Sequence, residues 1–162
     1  MAKVSQLQIR VSAEQKARIR RGAHGARTDM SSWVLSRLFP REEESFQQLV
    51  SQLGTGETPS LVFAQIHDFL ANLPAAEFPD AVATRPATKL GPYFENYLAA
   101  MVECAATSKG VDPPAWLSEI EPLATPVFGA ALDSIRLHLL THSPPPFRRR
   151  NIFIDASIGD RA

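Results

Sequence analysis

The period of the apolar positions changes within the first twenty residues. From Val4 to Val11, the residues Leu7, Ile9 and Val11 alternate with Gln6, Gln8 and Arg10, the period-two pattern of a half-buried strand. After Ser12 the spacing becomes helical. Ser12 with Gln15 three residues on makes a capping-box pattern and predicts a helix over 13–23. Its apolar contribution is thin: Ala17 or Ile19, and Ala23. Gly25 in "HGAR" suits the stop, since glycine tolerates a left-handed cap. A second helix opens at Thr28 or Asp29, places Met30, Trp33, Val34 and Leu38 roughly on one face, and ends at Pro40.

The body of the chain carries mostly helical periodicity. "REEESFQQLVSQL" sets Phe46, Leu49, Val50 and Leu53 at i, i+3, i+4 and i+7, with acids at the front where the helix dipole favours them. Thr58 and Pro59 open another helix, with Val62, Ile66, Phe69 and Leu73 on one stripe. Prolines and Gly91 break residues 74–91 into loop or short helical turns. Pro92 starts a helix to about residue 108, with Phe94, Tyr97, Leu98, Met101, Val102 and Ala105 inward. "KGVDPPAW" and "EPLATPVFG" are again proline-broken. A last helix over 132–141 carries Leu132, Ile135 and Leu139. Three prolines then stiffen an extended exit, and "NIFID" reads as a short strand. The expected fold class is mainly α, in three parts: 1–40, a helical domain over 41–142, and a proline-led basic tail over 143–162.

Charge changes the picture. The 162 residues have a formal net charge of zero, yet residues 1–41 hold nine Lys/Arg and two acids, a net of +7. Residues 42–147 hold four basic residues and thirteen acids, a net of −9, and residues 148–162 return to +2. A basic front on an acidic body points to a polyanion-binding end. A lone strand there needs a partner for its edge, and no second strand lies nearby in sequence. The same strand of a second copy supplies one. The resulting two-stranded ribbon, packed on Leu7, Ile9 and Val11, presents Gln6, Gln8 and Arg10 outward. Such a ribbon fits the DNA major groove, where Gln pairs with adenine and Arg with guanine.

The stretch "LQIRVSAEQKARIRRGAHGARTDMSSWVLSRLF" resembles a ribbon-helix-helix domain, the fold of Arc-, MetJ- and CopG-type repressors and of many antitoxins. The likeness covers about a quarter of the chain. It implies a homodimer joined through the N-terminal strand, and base contacts from Gln6, Gln8 and Arg10. It also implies phosphate contacts from the start of the second helix at Met30, Ser31 and Ser32, with Lys3 nearby. Asp29 departs from that pattern, because a carboxylate beside a phosphate repels it. In small proteins of this kind the rest of the chain often binds a toxin. The tail "PPPFRRRNIFIDAS" is weakly similar to the endings of proteins paired with nucleotidyltransferase-type toxins. Phe147, Arg148, Arg149, Arg150, Ile152, Phe153 and Ile154 are then the toxin-binding residues, adding a strand to a partner's sheet and placing arginines in an anionic site. The alternatives are that Ile152 and Ile154 fold back on the body, or that the arginines touch DNA nonspecifically.

The expectation is therefore an antitoxin that binds operator DNA and a cognate toxin. Two other readings compete: a repressor with a ligand-sensing helical domain, and a protein-only adaptor. Catalytic patterns are not found in the sequence: there is no G-x-S-x-G, P-loop or dinucleotide fingerprint, and His24, His67, His138 and His142 are scattered. His138 and His142 stand at i, i+4, which reads as a surface pair near a helix end more readily than as a metal site. Neither an enzyme nor a cofactor is expected. Cys104, the single cysteine, lies in an apolar helical run and reads as a buried structural thiol. With no signal-peptide core and no run of membrane-spanning length, a cytoplasmic location is expected.

Overall fold

The computed structural model describes residues 10–26, 28–38, 41–55, 58–129 and 133–155. The chain divides into two compact units, Met1–Pro40 and Arg41–Ala162. The described residues are mainly helical, with eight α-helices, one 3-10 turn and one two-stranded parallel sheet.

The first unit is a pair of helices, α1 (Ala13–Gly25) and α2 (Met30–Leu38). Ser12 makes the full capping box: its Oγ accepts from the Gln15 N–H at 3.2 Å, and its own N–H donates to Gln15 Oε1 at 2.8 Å. Asp29 caps α2 through its side chain alone, accepting from the N–H groups of Ser31 at 2.9 Å and Ser32 at 3.0 Å. The helices meet closely at Gly22, where an added Cβ would lie 2.4 Å from Trp33 Cζ2. Only a glycine leaves room for that indole. Arg10 and Val11 precede the cap, exposed and outside any regular element. The rest of the expected strand, with Lys3, Gln6 and Gln8, lies outside the described residues.

The second unit is built on α6 (Pro92–Lys109), which starts at a first-turn proline and stops at Gly110 in the left-handed conformation, φ 66°. Its residues Leu98, Ala99, Ala100, Met101 and Val102 are all buried, so this helix has apolar neighbours all round. α4 (Pro59–Asn72) packs against it, α3 (Arg41–Gln52) packs on α4 and on the single turn α5 (Phe78–Ala81), and a 3-10 turn spans Ala115–Glu119. Phe46, Val50, Val62, Ile66 and Leu73 face the core as their spacing requires, joined by Leu70 and Phe78. Trp116 is buried and donates its indole N–H to the Val82 carbonyl at 2.9 Å.

The end of the chain departs from the expected tail. Pro144, Pro145 and Pro146 form the cap and first turn of a short helix, α8 (Pro145–Arg149), where a missing N–H costs no hydrogen bond. Asn151 then turns the backbone at φ 58°, and Ile152–Phe153 pair in parallel with Val127–Phe128, giving strands β1 (Val127–Phe128) and β2 (Ile152–Phe153). The Val127 N–H donates to the Asn151 carbonyl at 2.8 Å and the Gly129 N–H to that of Phe153 at 2.9 Å. Residues 143–155 are thus an integral part of the second unit. In α7 (Asp133–His142) Leu139 is buried, while Ile135 is 40% exposed, and Leu137 and Leu140 are exposed beside it. No helix among the described residues is long and apolar enough to cross a membrane.

Candidate functional site

Two places have functional character, and the first is the basic helix pair. Arg10, Lys16, Arg18, Arg20, Arg21 and His24 are all exposed on or beside α1. Among the described residues of this unit, Ala23 alone is buried, with Ile19, Trp33 and Val34 half-covered. Val11, Met30 and Leu35 are 42%, 38% and 51% exposed. Among the described residues, one buried alanine is a small core for a pair of helices.

The start of α2 bears directly on the phosphate contacts expected from Met30, Ser31 and Ser32. The N–H groups of Ser31 and Ser32 already donate to Asp29 Oδ1, and the Ser32 hydroxyl donates to Oδ2 at 2.5 Å. The Ser32 hydroxyl, then the backbone donors, hold the Asp29 carboxyl below its ordinary value. The negative charge therefore sits where a phosphate would sit. Met30 has an exposed side chain at the same end.

The expected toxin-binding residues separate into two groups. Phe147, Ile152, Phe153 and Ile154 are buried in the unit's own structure, so they are not available to add a strand to another protein. Arg150 is buried as well. Its Nη2 donates to the Leu117 carbonyl at 3.0 Å, and its Nη1 donates to Asn96 Oδ1 at 3.3 Å and the Ile120 carbonyl at 3.4 Å. Arg148 and Arg149 remain exposed, and Arg149 is ion-paired with Glu103. The physical reason for the split is the α8 turn followed by left-handed Asn151, which aims the third arginine inward while the first two face out.

The second place is a cavity of about 670 Å³ between α4, α6 and α8, within the range typical of small-molecule sites. Phe63 on α4, Tyr93, Phe94 and Tyr97 on α6, and Phe147 on α8 line it. Their rings touch in sequence: Phe63–Tyr97 centroids lie 4.6 Å apart, Tyr97–Phe147 5.1 Å, Phe63–Phe94 5.5 Å and Tyr93–Tyr97 5.8 Å. His67, Asp68 and Asp155 supply polar groups, and Met101 and Cys104 supply sulfur. Burial raises the pKa of both tyrosines, so their hydroxyls stay protonated donors at neutral pH. Burial, and after it the Glu103 charge, pushes the Cys104 thiol up to about 11, so it lines the wall as an inert thiol. Sequence spacing marked Phe94 and Tyr97 as inward but missed Phe63 and Tyr93. Three aromatic residues within the five of 93–97 were the available signal.

His138 and His142 stack face to face at 3.8 Å, with His142 Nδ1 engaged by the His138 carbonyl and the Thr141 hydroxyl. Among the described residues no cluster of three or more His, Cys, Asp or Glu side chains is placed to hold a metal ion. No family model, curated protein or solved structure matches the chain.

Proposed function

We propose that this chain is a dimeric DNA-binding regulator of the antitoxin kind. Residues 1–40 form a ribbon-helix-helix unit with a second copy, and the acidic second unit binds the molecule that controls it. The observation that carries the reading is the thin core among the described residues of the first unit. Its basic helix is exposed, Val11, Met30 and Leu35 are uncovered, and of the described residues Ala23 alone is buried. A second copy supplies the missing core, and its strand completes the ribbon. Gln6, Gln8 and Arg10 then read bases, while Lys3 and the α1 cations meet phosphates.

The test is binding of the full chain to DNA from its own upstream region across a salt series. Expected are a dimer in solution, a steep fall in affinity with salt, and a loss of roughly 1–3 kcal/mol of specific binding in Arg10→Ala. A monomer whose DNA affinity ignores both salt and Arg10 would sink the proposal.

In the antitoxin form the controlling molecule is a toxin protein, and its docking surface is moved from the tail to α7. Ile135, Leu137 and Leu140 are exposed there, Leu137 to 71%. A Leu137→Asp variant should lose the toxin while keeping DNA binding. The cavity favours a second reading, in which the helical unit senses a small ligand and the DNA-binding unit responds.

A further inference from the structure

We infer that the cavity of the second unit takes a neutral, flat, conjugated molecule of several fused rings that carries a carbonyl-type hydrogen-bond acceptor. The inference rests on the ligand-sensing reading and names the chemical class of that ligand. The first observation is the wall. Rings from α4, α6 and α8 touch in a run, with Phe63–Tyr97 and Tyr97–Phe147 centroids 4.6 and 5.1 Å apart in tilted and edge-on arrangements. Such a wall suits the faces and edges of another aromatic body, and the buried Phe147 and Met101 form its apolar depth. The second observation is a pair of unused hydroxyls. Tyr93 and Tyr97 stand one turn apart on the same face of α6, with ring centroids at 5.8 Å. Neither hydroxyl has a hydrogen-bond partner among the described residues. Burial keeps both protonated, and for Tyr97 the neighbouring Tyr93 adds to it, so both are donors at neutral pH.

The acids described in the lining already face partners. Asp155 is engaged within the protein, and Asp68 Oδ1 stands 3.7 Å from His67 Nδ1. A charged ligand has to break those contacts to regain what it loses in leaving water; a neutral one leaves them intact. A plain hydrocarbon uses the rings, but it strips water from two phenol hydroxyls and returns nothing to them. A ring carbonyl satisfies both, because its oxygen has two lone pairs and each hydroxyl donates one hydrogen bond. Tyr93 is 37% exposed and Phe147 5%, which puts the acceptor at the mouth and the fused rings deeper. At about 670 Å³ the space holds such a body.

The test is fluorescence titration of the full chain, with residues 156–162 in place and DNA absent, against four flat dyes. Nile red is neutral with a ring carbonyl, and pyrene is neutral with no hydrogen-bonding group. Nile blue is the cationic relative of Nile red, and resorufin is an anion that keeps the ring carbonyl. Nile red should bind about fivefold more tightly than pyrene and about tenfold more tightly than either ion. Tyr93→Phe with Tyr97→Phe keeps both rings and should lower Nile red to the affinity of pyrene, with pyrene unchanged. Tyr93→Phe alone, at the more exposed ring, should weaken Nile red about twofold. Leu137→Asp, at an exposed apolar position outside the cavity lining, should change none of them. Pyrene or an ionic dye binding as tightly as Nile red, or a double variant that binds Nile red like its parent, would overturn the neutral-acceptor assignment while sparing the cavity as a ligand site. No binding by any dye would overturn both. Nile red binding that is lost in Leu137→Asp would mark it as adsorption to α7 and overturn the inference.

Discussion

Replacing Arg150 is the sharpest test of how the second unit holds together. Arg150 is 7% exposed, and its guanidinium serves three acceptors on two segments: Asn96 on α6, and Leu117 and Ile120 at the 3-10 turn and its end. Asn96 is itself buried and donates to the Pro92 and Glu121 carbonyls, both at 3.0 Å. One polar network thus ties α6, the 3-10 turn and the end of α8. Arg150→Met keeps the length of the stem and removes every donor. Hydrogen bonds to a charged group contribute about 1.5–3 kcal/mol each, and the two made by Nη1 are long, so they count at the low end. Against this stands the cost of burying the guanidinium. That cost shows in a pKa lowered by desolvation and in an Nε with no hydrogen-bond partner, and the substitution relieves it. The balance is a loss of about 2–4 kcal/mol for Arg150→Met. Arg150→Lys loses less, because an ammonium keeps the charge but cannot span three acceptors in one plane. Arg148→Ala and Arg149→Ala should each stay within about 1 kcal/mol, since both are exposed. Urea unfolding in a Trp33→Phe background reports this unit through Trp116, and a shifted midpoint at constant slope is the readout. An Arg150→Met protein as stable as its parent would refute the reasoning, and would mean that desolvation cancels the network.

Three further outcomes are expected. Gly22→Ala should destabilise the first unit by about 1–3 kcal/mol, because overpacking against Trp33 outweighs alanine's better helix propensity; helical circular dichroism of this unit checks it, and a stabilised variant would show that the indole can move aside. The depressed Asp29 carboxyl means that its contribution to α2 is fully present above its ordinary value of 3.8 and is lost as pH falls through the lower folded value. Asp29→Asn should cap without that acid loss and should also bind DNA more tightly; an unchanged acid profile would remove Asp29 as its source. Ile152→Ala, at a fully buried position, should cost about 2–5 kcal/mol in urea unfolding, and a loss under 1 kcal/mol would argue that β2 is only loosely docked.

Much of the helical framework was legible because its signals are local. Ser12 with Gln15, Pro59 and Pro92 at helix starts, and the four-point stripe of Phe46 to Leu53 depend on neighbours within a turn or two. What escaped depends on distant partners. The short strand read in "NIFID" is β2, but its parallel partner β1, two residues long and 25 positions earlier, gave no signal of its own. Three consecutive arginines look alike in sequence, and only the Asn151 turn decides which one is buried. The proline triplet carries two physical options, an extended spacer or a helix start, and the core waiting for Phe147 selects the second. The cavity draws its rings from α4, α6 and α8, so no single window of sequence contains it.

The folded-back tail also decides how the two proposed activities can be separated. Removing residues 142–162 would take Phe147, Arg150, Ile152 and Ile154 out of the core together, so a failure to bind the partner would report unfolding and not a missing docking surface. Surface changes avoid that confusion. Leu137→Asp removes an apolar side chain that the unit does not bury, and Arg18→Ala with Arg20→Ala removes exposed charge from α1. If the units act as proposed, the first variant no longer binds the protein partner and keeps salt-sensitive DNA binding. The second keeps the partner and flattens the salt dependence by about one unit of slope for each phosphate no longer neutralised. A variant that abolished both activities together while melting normally would mean that one surface serves both ligands. The division of labour between the basic and acidic units would then be wrong.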